Sequence, residues 1–251
     1  MNRIDKAKMN NQAWFRGQAF DSNHFDPEFQ EIAERFFCGD ITAYGSLSDK
    51  QRALLALTAL TACQTLRSLS KYALSALDIG ASPEEVKETI YQCAPYIGLE
   101  KVECALYEVN KAFQASGIAY PLEKQSNVTE DTRFEKGIAV QREIFGTENI
   151  DTMRAAAPQE LQHIQDYLSA YCFGDFYTRG TLDLKMRELI TFCAICSIGG
   201  CEPQAEAHAN ANLSVGNTRE MLIDAITQCL PFIGFPRTLN AINCINTAAG
   251  K

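Results

Sequence analysis

Residues 39–54 read GDITAYGSLSDKQRAL, and residues 174–189 read GDFYTRGTLDLKMREL, an offset of 135 positions. Further along, residues 80–101 (GASPEEVKETIYQCAPYIGLEK) match residues 216–237 (GNTREMLIDAITQCLPFIGFPR) at an offset of 136. Solenoid repeats have periods of about 20–50 residues, so a repeat this long indicates a duplicated domain. The residues that recur in the first pair of segments are Gly39, Asp40, Gly45, Leu47, Lys50, Arg52 and Leu54, which return as Gly174, Asp175, Gly180, Leu182, Lys185, Arg187 and Leu189.

The composition is that of an ordinary water-soluble protein. Of the 251 residues, 46% are hydrophobic and 22% are charged, and 31 acidic against 23 basic side chains give a formal charge of −8. No dense cluster of Lys and Arg occurs, so we expect no nucleic-acid partner. The N-terminus lacks the apolar core of a signal peptide, and no apolar run reaches the ~18 residues of a spanning helix. We therefore predict a cytoplasmic protein without a membrane partner.

The hydrophobic spacing is helical almost throughout, and no stretch alternates as a strand would. Two predicted helix starts carry a capping box, in which a Ser and a Glu or Gln three residues later cap each other's backbone. These pairs are Ser48 with Gln51 and Ser82 with Glu85, and Thr218 opens the matching helix of the second copy. We predict an all-α fold built from two tandem copies of one helical domain.

A polar stretch between the copies, YPLEKQSNVTED, is typical of a linker. A helix is predicted directly after it, at residues 133–146, and a weaker counterpart lies near the N-terminus. We therefore place the first helical repeat at residues 1–118, the linker at 119–132 and the second repeat at 133–251. Each repeat should contain a leading helix, a long middle helix and then a helical pair.

The ten cysteines are expected to be free thiols, because cytoplasmic proteins rarely keep structural disulfides. Cys193 and Cys196 lie three residues apart in one predicted helix among apolar neighbours, so they share a face. We expect this pair to pack in the core rather than to form a redox or metal site. The cysteines in other apolar or helical contexts should likewise act as small core side chains: Cys38, Cys63, Cys93, Cys104, Cys172, Cys229 and Cys244.

Only the second copy carries groups suited to catalysis. Glu188 and His208 occupy the positions where the first copy has Ala53 and Tyr72. Glu188 lies early in one predicted helix, and two glycines at 199–200 end that helix. His208 should lie one to two turns into the following helix, so a helical hairpin could bring the two side chains together. Two further histidines lie in polar stretches with no motif around them: His24 and His163.

These segments resemble the carboxymuconolactone decarboxylase family, which includes the alkyl hydroperoxide reductase D-type proteins. The resemblance rests on LDLKMRELITF at residues 182–192, the glycine break, HANANLSVG at residues 208–216 and FIGFPR at residues 232–237. Since it covers both halves of the chain, it indicates a tandem member. The resemblance also implies a homo-oligomer, and three duplicated chains could form a trimer with pseudo-sixfold symmetry.

The decarboxylase branch of that family implies chemistry on a small cyclic or lactone carboxylic acid, with no cofactor and no metal. Such a reaction needs a group that delivers a proton to carbon, and a histidine paired with a carboxylate can do this. Glu188 and His208 fit these roles, and an arginine could bind the substrate carboxylate through two hydrogen bonds. The candidate substrate-binding residues are Arg187, Arg179, Tyr177 and Gln204.

The peroxidase branch implies instead a Cys-x-x-Cys pair just before the histidine, activated by the histidine and the glutamate. Cys201, at the apex of the predicted hairpin, occupies the first cysteine position, but Gln204 occupies the second. A thiol-dependent peroxidase or disulfide reductase would therefore need a resolving thiol from elsewhere in the chain.

A third interpretation is a non-catalytic binding or scaffold protein, in which the site has decayed in both copies. Glu188 would then be an acid favoured by the helix dipole near a helix start, and His208 a hydrogen-bonded structural histidine. Cys201 would be an ordinary loop residue, and Tyr177 would serve core or interface packing.

Overall fold

The computed structural model describes residues 1–18, 20 and 25–250, so His24 and the terminal Lys251 lie outside the described residues. The described residues contain no β-strand, which confirms the all-α prediction. The first half contains α1 (Arg3–Phe15), α2 (Pro27–Glu34), α3 (Asp49–Ala62), α4 (Leu66–Asp78), α5 (Pro83–Gln92), α6 (Ala94–Ile97) and α7 (Leu99–Ala115). The second half contains α8 (Arg133–Phe145), α9 (Thr147–Ala156), α10 (Gln162–Tyr167), α11 (Leu184–Ile198), α12 (Glu202–Ser214) and α13 (Arg219–Ala248).

The two halves follow one plan. A π-helical segment extends α2 through Arg35–Ile41, and another extends α10 through Leu168–Tyr177. The helix α13, kinked at Gly234 with φ 75°, corresponds to α5 through α7, which are interrupted at Gly98 with φ 96°. Among the described residues, α9 has no counterpart in the first half. Within the described chain, no helix is both long and apolar enough to cross a bilayer.

The centre of the molecule is the pair of helices α3 and α11, which pack against each other. Every residue from Arg52 to Ala62 in α3 is buried, as is every residue from Met186 to Ser197 in α11. One hydrophobic core contains residues of both repeats, so the two copies share their interior. Residues 119–132 contain no helix, in keeping with a linker, whereas the proposed domain boundaries remain predictions.

The helix starts form as predicted. Ser48 and Gln51 form a complete capping box at α3, and Ser82 and Glu85 form another at α5. The Thr218 side chain accepts a hydrogen bond from the Met221 backbone at the start of α13. These bonds satisfy N–H groups that the first turn of a helix cannot pair internally.

The cysteines are free thiols, and most pack as expected. Cys193 and Cys196 are both buried, which confirms their core packing. The prediction for Cys104 is wrong, since this residue is exposed on α7. The buried stripe of α7 runs through Val102, Ala105, Val109 and Phe113, and Cys104 lies off that stripe.

Two glycines allow α8 to approach the π-helical segment 168–177 closely. A Cβ atom built on Gly137 would overlap the Ser169 carbonyl oxygen and the Gly174 backbone. A Cβ on Gly174 would in turn overlap the Arg133 carbonyl oxygen. Because these neighbours are backbone atoms, they cannot rotate away, and the contact requires glycine on both sides.

We predict that Gly137→Ala lowers the free energy of unfolding by about 1–3 kcal/mol, since the added methyl group would force the two segments apart. Urea denaturation would measure the change. Glu135→Ala, at an exposed position of the same helix, should change stability by no more than ~0.5 kcal/mol. Equal stabilities of Gly137→Ala and the parent protein would show that this close approach does not constrain the fold.

Candidate active site

The hairpin of α11 and α12 brings Glu188 and His208 into direct contact. Between the two helices, Gly199 and Gly200 have φ angles of 74° and 73°, in the left-handed region that glycine adopts readily. Nδ1 of His208 lies 2.8 Å from Oε2 of Glu188. Since an ionised carboxylate can only accept, Nδ1 donates this bond. Nε2 is therefore the ring nitrogen left to meet a substrate.

The backbone of this pair is tied together by Asn212, which is fully buried. Its Nδ2 atom donates to the carbonyl oxygens of Glu188, at 3.0 Å, and of His208, at 2.7 Å. One amide therefore fixes the spacing of α11 and α12 at the level of both candidate catalytic residues.

Glu188 has none of its surface exposed, and its second oxygen also has a donor. The Tyr177 hydroxyl donates to Oε1 at 2.7 Å. Thr191 lies 2.9 Å from the Tyr177 oxygen, and Nε2 of Gln92 donates to Thr191 at 3.1 Å. A chain of polar groups therefore runs from α5 of the first repeat to the carboxylate of the second.

Tyr96 is a site residue that comes from the first repeat. Its ring meets the His208 ring edge to face, with centroids 5.4 Å apart and planes at 90°. Its hydroxyl lies 3.0 Å from the Tyr177 hydroxyl and 3.4 Å from Cys172 Sγ. Burial raises the pKa of Tyr96 and of Tyr177 well above the ordinary value, and the nearby Glu188 adds to both shifts. Both phenols therefore stay protonated and able to donate.

A cavity of about 550 Å³ opens onto His208. Most of its walls are apolar, and α9 closes one side with Ile150 and Met153. Cys201 and Gln204, at the start of α12, also line it. The remaining lining residues are Pro95, Tyr96, Gln141, Phe145, Asn149, Leu168, Cys172, Phe173, Ile195, Ile198 and Ala207.

Comparison with known proteins agrees with this architecture. The model of the carboxymuconolactone decarboxylase family matches the chain twice, at residues 27–111 and 162–246. The chain belongs to this family. It is 22% identical over 116 residues to the 4-carboxymuconolactone decarboxylase of Acinetobacter baylyi, an alignment that covers 46% of this chain and 86% of that protein.

One solved structure shows the same fold over nearly the whole chain. This Burkholderia xenovorans protein, described provisionally as a gamma-carboxymuconolactone decarboxylase subunit, aligns with a TM-score of 0.57 and 19% identity. The alignment covers 98% of this chain and 97% of the other. The similarity in fold therefore extends over nearly the whole length of both chains.

In this family member the two candidate arginines do not line the His208 cavity. Arg187 is completely buried and donates to Gln92 Oε1, at 2.8 Å, and to Glu88 Oε2, at 3.2 Å. Arg179 pairs with the same Glu88, at 2.9 Å. Their guanidinium groups are therefore already bound to acceptors of the first repeat and are not placed to receive a substrate carboxylate at His208.

The repeat symmetry explains why Arg187 is structural. Its Nη2 atom donates to the carbonyl oxygens of Arg179 and Gly180, at 3.0 and 2.9 Å. At the equivalent place in the first repeat, Arg52 donates to the carbonyl oxygens of Tyr44 and Gly45. The same contact exists in the copy that lacks the glutamate and the histidine. We therefore conclude that this arginine stabilises the loop before α3 or α11 and takes no part in catalysis.

Sequence reasoning missed Tyr96, Phe145 and Gln141. Tyr96 lies 136 positions before Phe232 in the repeated segments 80–101 and 216–237, so its counterpart is also aromatic. That repeat was the available signal, but nothing in it predicted contact with the other copy's histidine. His163 lies exposed, and its ring meets that of Tyr167 edge to face with centroids 5.7 Å apart.

We predict that Arg187→Met lowers the free energy of unfolding by roughly 3 kcal/mol, because Glu88 would lose a buried positive partner. Chemical denaturation monitored by circular dichroism would measure this. Arg142→Ala, which breaks the exposed ion pair with Asp151, should cost ~1 kcal/mol or less. If Arg187→Met were as stable as the parent protein and lost only substrate affinity, Arg187 would be a substrate-binding residue and its assignment to the stability of the fold would be wrong.

Proposed function

We propose that this protein decarboxylates a small cyclic or lactone carboxylic acid by acid–base chemistry, with His208 as the proton donor. The observation that carries the proposal is the bond between Nδ1 of His208 and the buried Glu188, which leaves Nε2 for the cavity. The Acinetobacter relative, named a 4-carboxymuconolactone decarboxylase, supports a lactone acid as the substrate class.

The reaction breaks the bond between the ring carbon and the carboxylate, and carbon dioxide leaves. The electron pair moves into the conjugated lactone carbonyl, so the substrate supplies its own electron sink. Nε2 of protonated His208 then transfers its proton to carbon, and solvent restores that proton. Glu188 holds the imidazole in one orientation and stabilises its charged form, as a carboxylate beside a catalytic histidine generally does.

The substrate oxygens would be bound by amides rather than by an arginine. None of the described residues that line this cavity is Arg or Lys. Gln141 is buried, accepts a bond from Ser169 at 2.8 Å through its oxygen, and thereby keeps its amino group for the cavity. Gln204, exposed at the start of α12, also lines the cavity. We assign these two amides to the carboxylate and the lactone carbonyl.

We expect Glu188→Gln and His208→Asn each to lower the rate of decarboxylation by about 10²–10⁴-fold, because each removes part of the proton donor. A screen of lactone acids, beginning with 4-carboxymuconolactone, would follow release of carbon dioxide and loss of ultraviolet absorbance. His163→Asn, at an exposed histidine, should keep full activity.

Melting temperatures of the same variants separate chemistry from folding. A folded His208→Asn protein that decarboxylates at the parent rate would contradict the assignment of the proton donor. If the parent protein turned over no lactone acid, the decarboxylase proposal would fail, and a non-catalytic binding protein would become the better interpretation.

The thiol-dependent alternative has one observation in its favour. Cys201 lines the His208 cavity and also a second, small cavity that it shares with Cys196 and Cys244, which could supply the resolving thiol. Burial raises the pKa of both of these thiols, and Glu202 raises the pKa of Cys244 further. They would therefore be poor thiolates, and we favour acid–base chemistry over a dithiol cycle.

Cys201→Ser should accordingly retain decarboxylase activity within about a factor of three, since a serine keeps the size of the side chain. The parent protein should not consume hydrogen peroxide with dithiothreitol as the reductant. Peroxide consumption that disappears in Cys201→Ser would favour the peroxidase instead. Cys172 provides an internal comparison in alkylation mapped by mass spectrometry, because burial raises its pKa to about 12 and should keep it unreactive.

A further inference from the structure

The first repeat contains its own cavity at the position that corresponds to the His208 cavity. Its volume is about 450 Å³, close to the 550 Å³ of the cavity in the second repeat. Aromatic and aliphatic side chains make up most of its walls, and Thr65, Ser68 and Lys71 also line it. The aromatic and aliphatic residues include Phe29, Ile32, Phe36, Phe37, Leu60, Tyr72, Leu230, Phe232 and Phe235.

Several wall residues of the two cavities are counterparts in the repeat, among them Leu60 with Ile195 and Phe37 with Cys172. Tyr72 replaces His208, and its ring lies edge to face on Phe232, with centroids 5.5 Å apart and planes at 82°. This matches the contact of His208 with Tyr96, and Phe232 is the counterpart of Tyr96 in the repeat. The first repeat has therefore kept the shape of the site while Ala53 replaces the glutamate.

The Tyr72 side chain takes the place of His208 in the wall of this cavity. Tyr72 is 4% exposed, and no hydrogen bond joins its hydroxyl to another residue in the described part of the chain. At the second-repeat cavity, by contrast, the hydroxyls of Tyr96 and of the adjacent Tyr177 are both paired. Because Tyr72 lines the first-repeat cavity, a bound molecule can supply the missing acceptor.

We propose that the first-repeat cavity binds an aromatic molecule that carries one hydrogen-bond acceptor, held by the ring edges of Phe37 and Phe232 and by the Tyr72 hydroxyl. Apolar cavities of this size with a few placed polar groups are typical small-molecule sites. With Ala53 and Tyr72 in place of the acid–base pair, this site binds without turning its ligand over. The inference goes beyond the proposed decarboxylase activity and does not depend on it.

The chain has one tryptophan, and its ring contacts Phe37 in the wall of this cavity. Trp14 is 2% exposed, and its ring meets Phe37 edge to face at 6.1 Å. Benzophenone is a suitable probe, since it has two rings and one carbonyl acceptor and quenches indole fluorescence. We expect saturable shortening of the Trp14 fluorescence lifetime with one molecule bound per chain. Diphenylmethane, which has the same rings without the carbonyl, should bind more weakly.

Variants assign the binding to this cavity. Tyr72→Phe should weaken benzophenone binding by about three- to tenfold, the effect of one hydrogen bond, and should leave diphenylmethane binding unchanged. Ala33→Leu, which fills the cavity from α2, should abolish binding of both probes. His208→Asn, at the equivalent place in the other repeat, should bind both as the parent protein does.

Two results would overturn the proposal. One is the absence of any saturable lifetime change up to the solubility limit of benzophenone. The other is binding that is lost in His208→Asn and retained in Tyr72→Phe and Ala33→Leu, which would place the probe in the second-repeat cavity. Because no step of this experiment uses decarboxylation, its outcome is independent of whether a lactone acid is the substrate.

Discussion

A carboxylate without any exposed surface needs hydrogen-bond donors from the protein, because an unpaired buried charge is costly. Glu188 meets this requirement with His208 on one oxygen and Tyr177 on the other. Those two bonds determine which ring nitrogen of His208 faces the cavity and where the adjoining phenols lie. The central helix α11 can contain a glutamate in the buried core only because these donors bind its carboxylate.

The two copies contribute different residues to each cavity. Each copy keeps the arginine that fixes the loop before its central helix, and each keeps a cavity walled by an aromatic side chain of the other copy. Tyr96 of the first repeat contacts His208, and Phe232 of the second contacts Tyr72. The first repeat is therefore part of the second repeat's site, although it has no acid–base pair of its own.

Most of the fold follows from local signals in the sequence. Helical spacing, capping boxes and the long repeat predict the all-α tandem architecture, and the substitution of Ala53 and Tyr72 by Glu188 and His208 locates the candidate chemistry. What the sequence could not provide is contact between distant segments. The sequence does not show how the two copies pack against each other. For that reason Arg187, which is buried against the first repeat, was predicted to bind substrate. The contact of Tyr96 with His208 was missed for the same reason.

The Glu188–His208 bond is tested most directly by long-range proton–nitrogen correlation spectroscopy of the histidine rings, with His208→Asn identifying the relevant signals. We predict a proton on Nδ1 of His208 that is protected from exchange and whose resonance moves in Glu188→Gln. A neutral ring that carries its proton on Nε2 alone, with shifts indifferent to Glu188→Gln, would contradict the account, because Glu188 would then not orient the proposed proton donor.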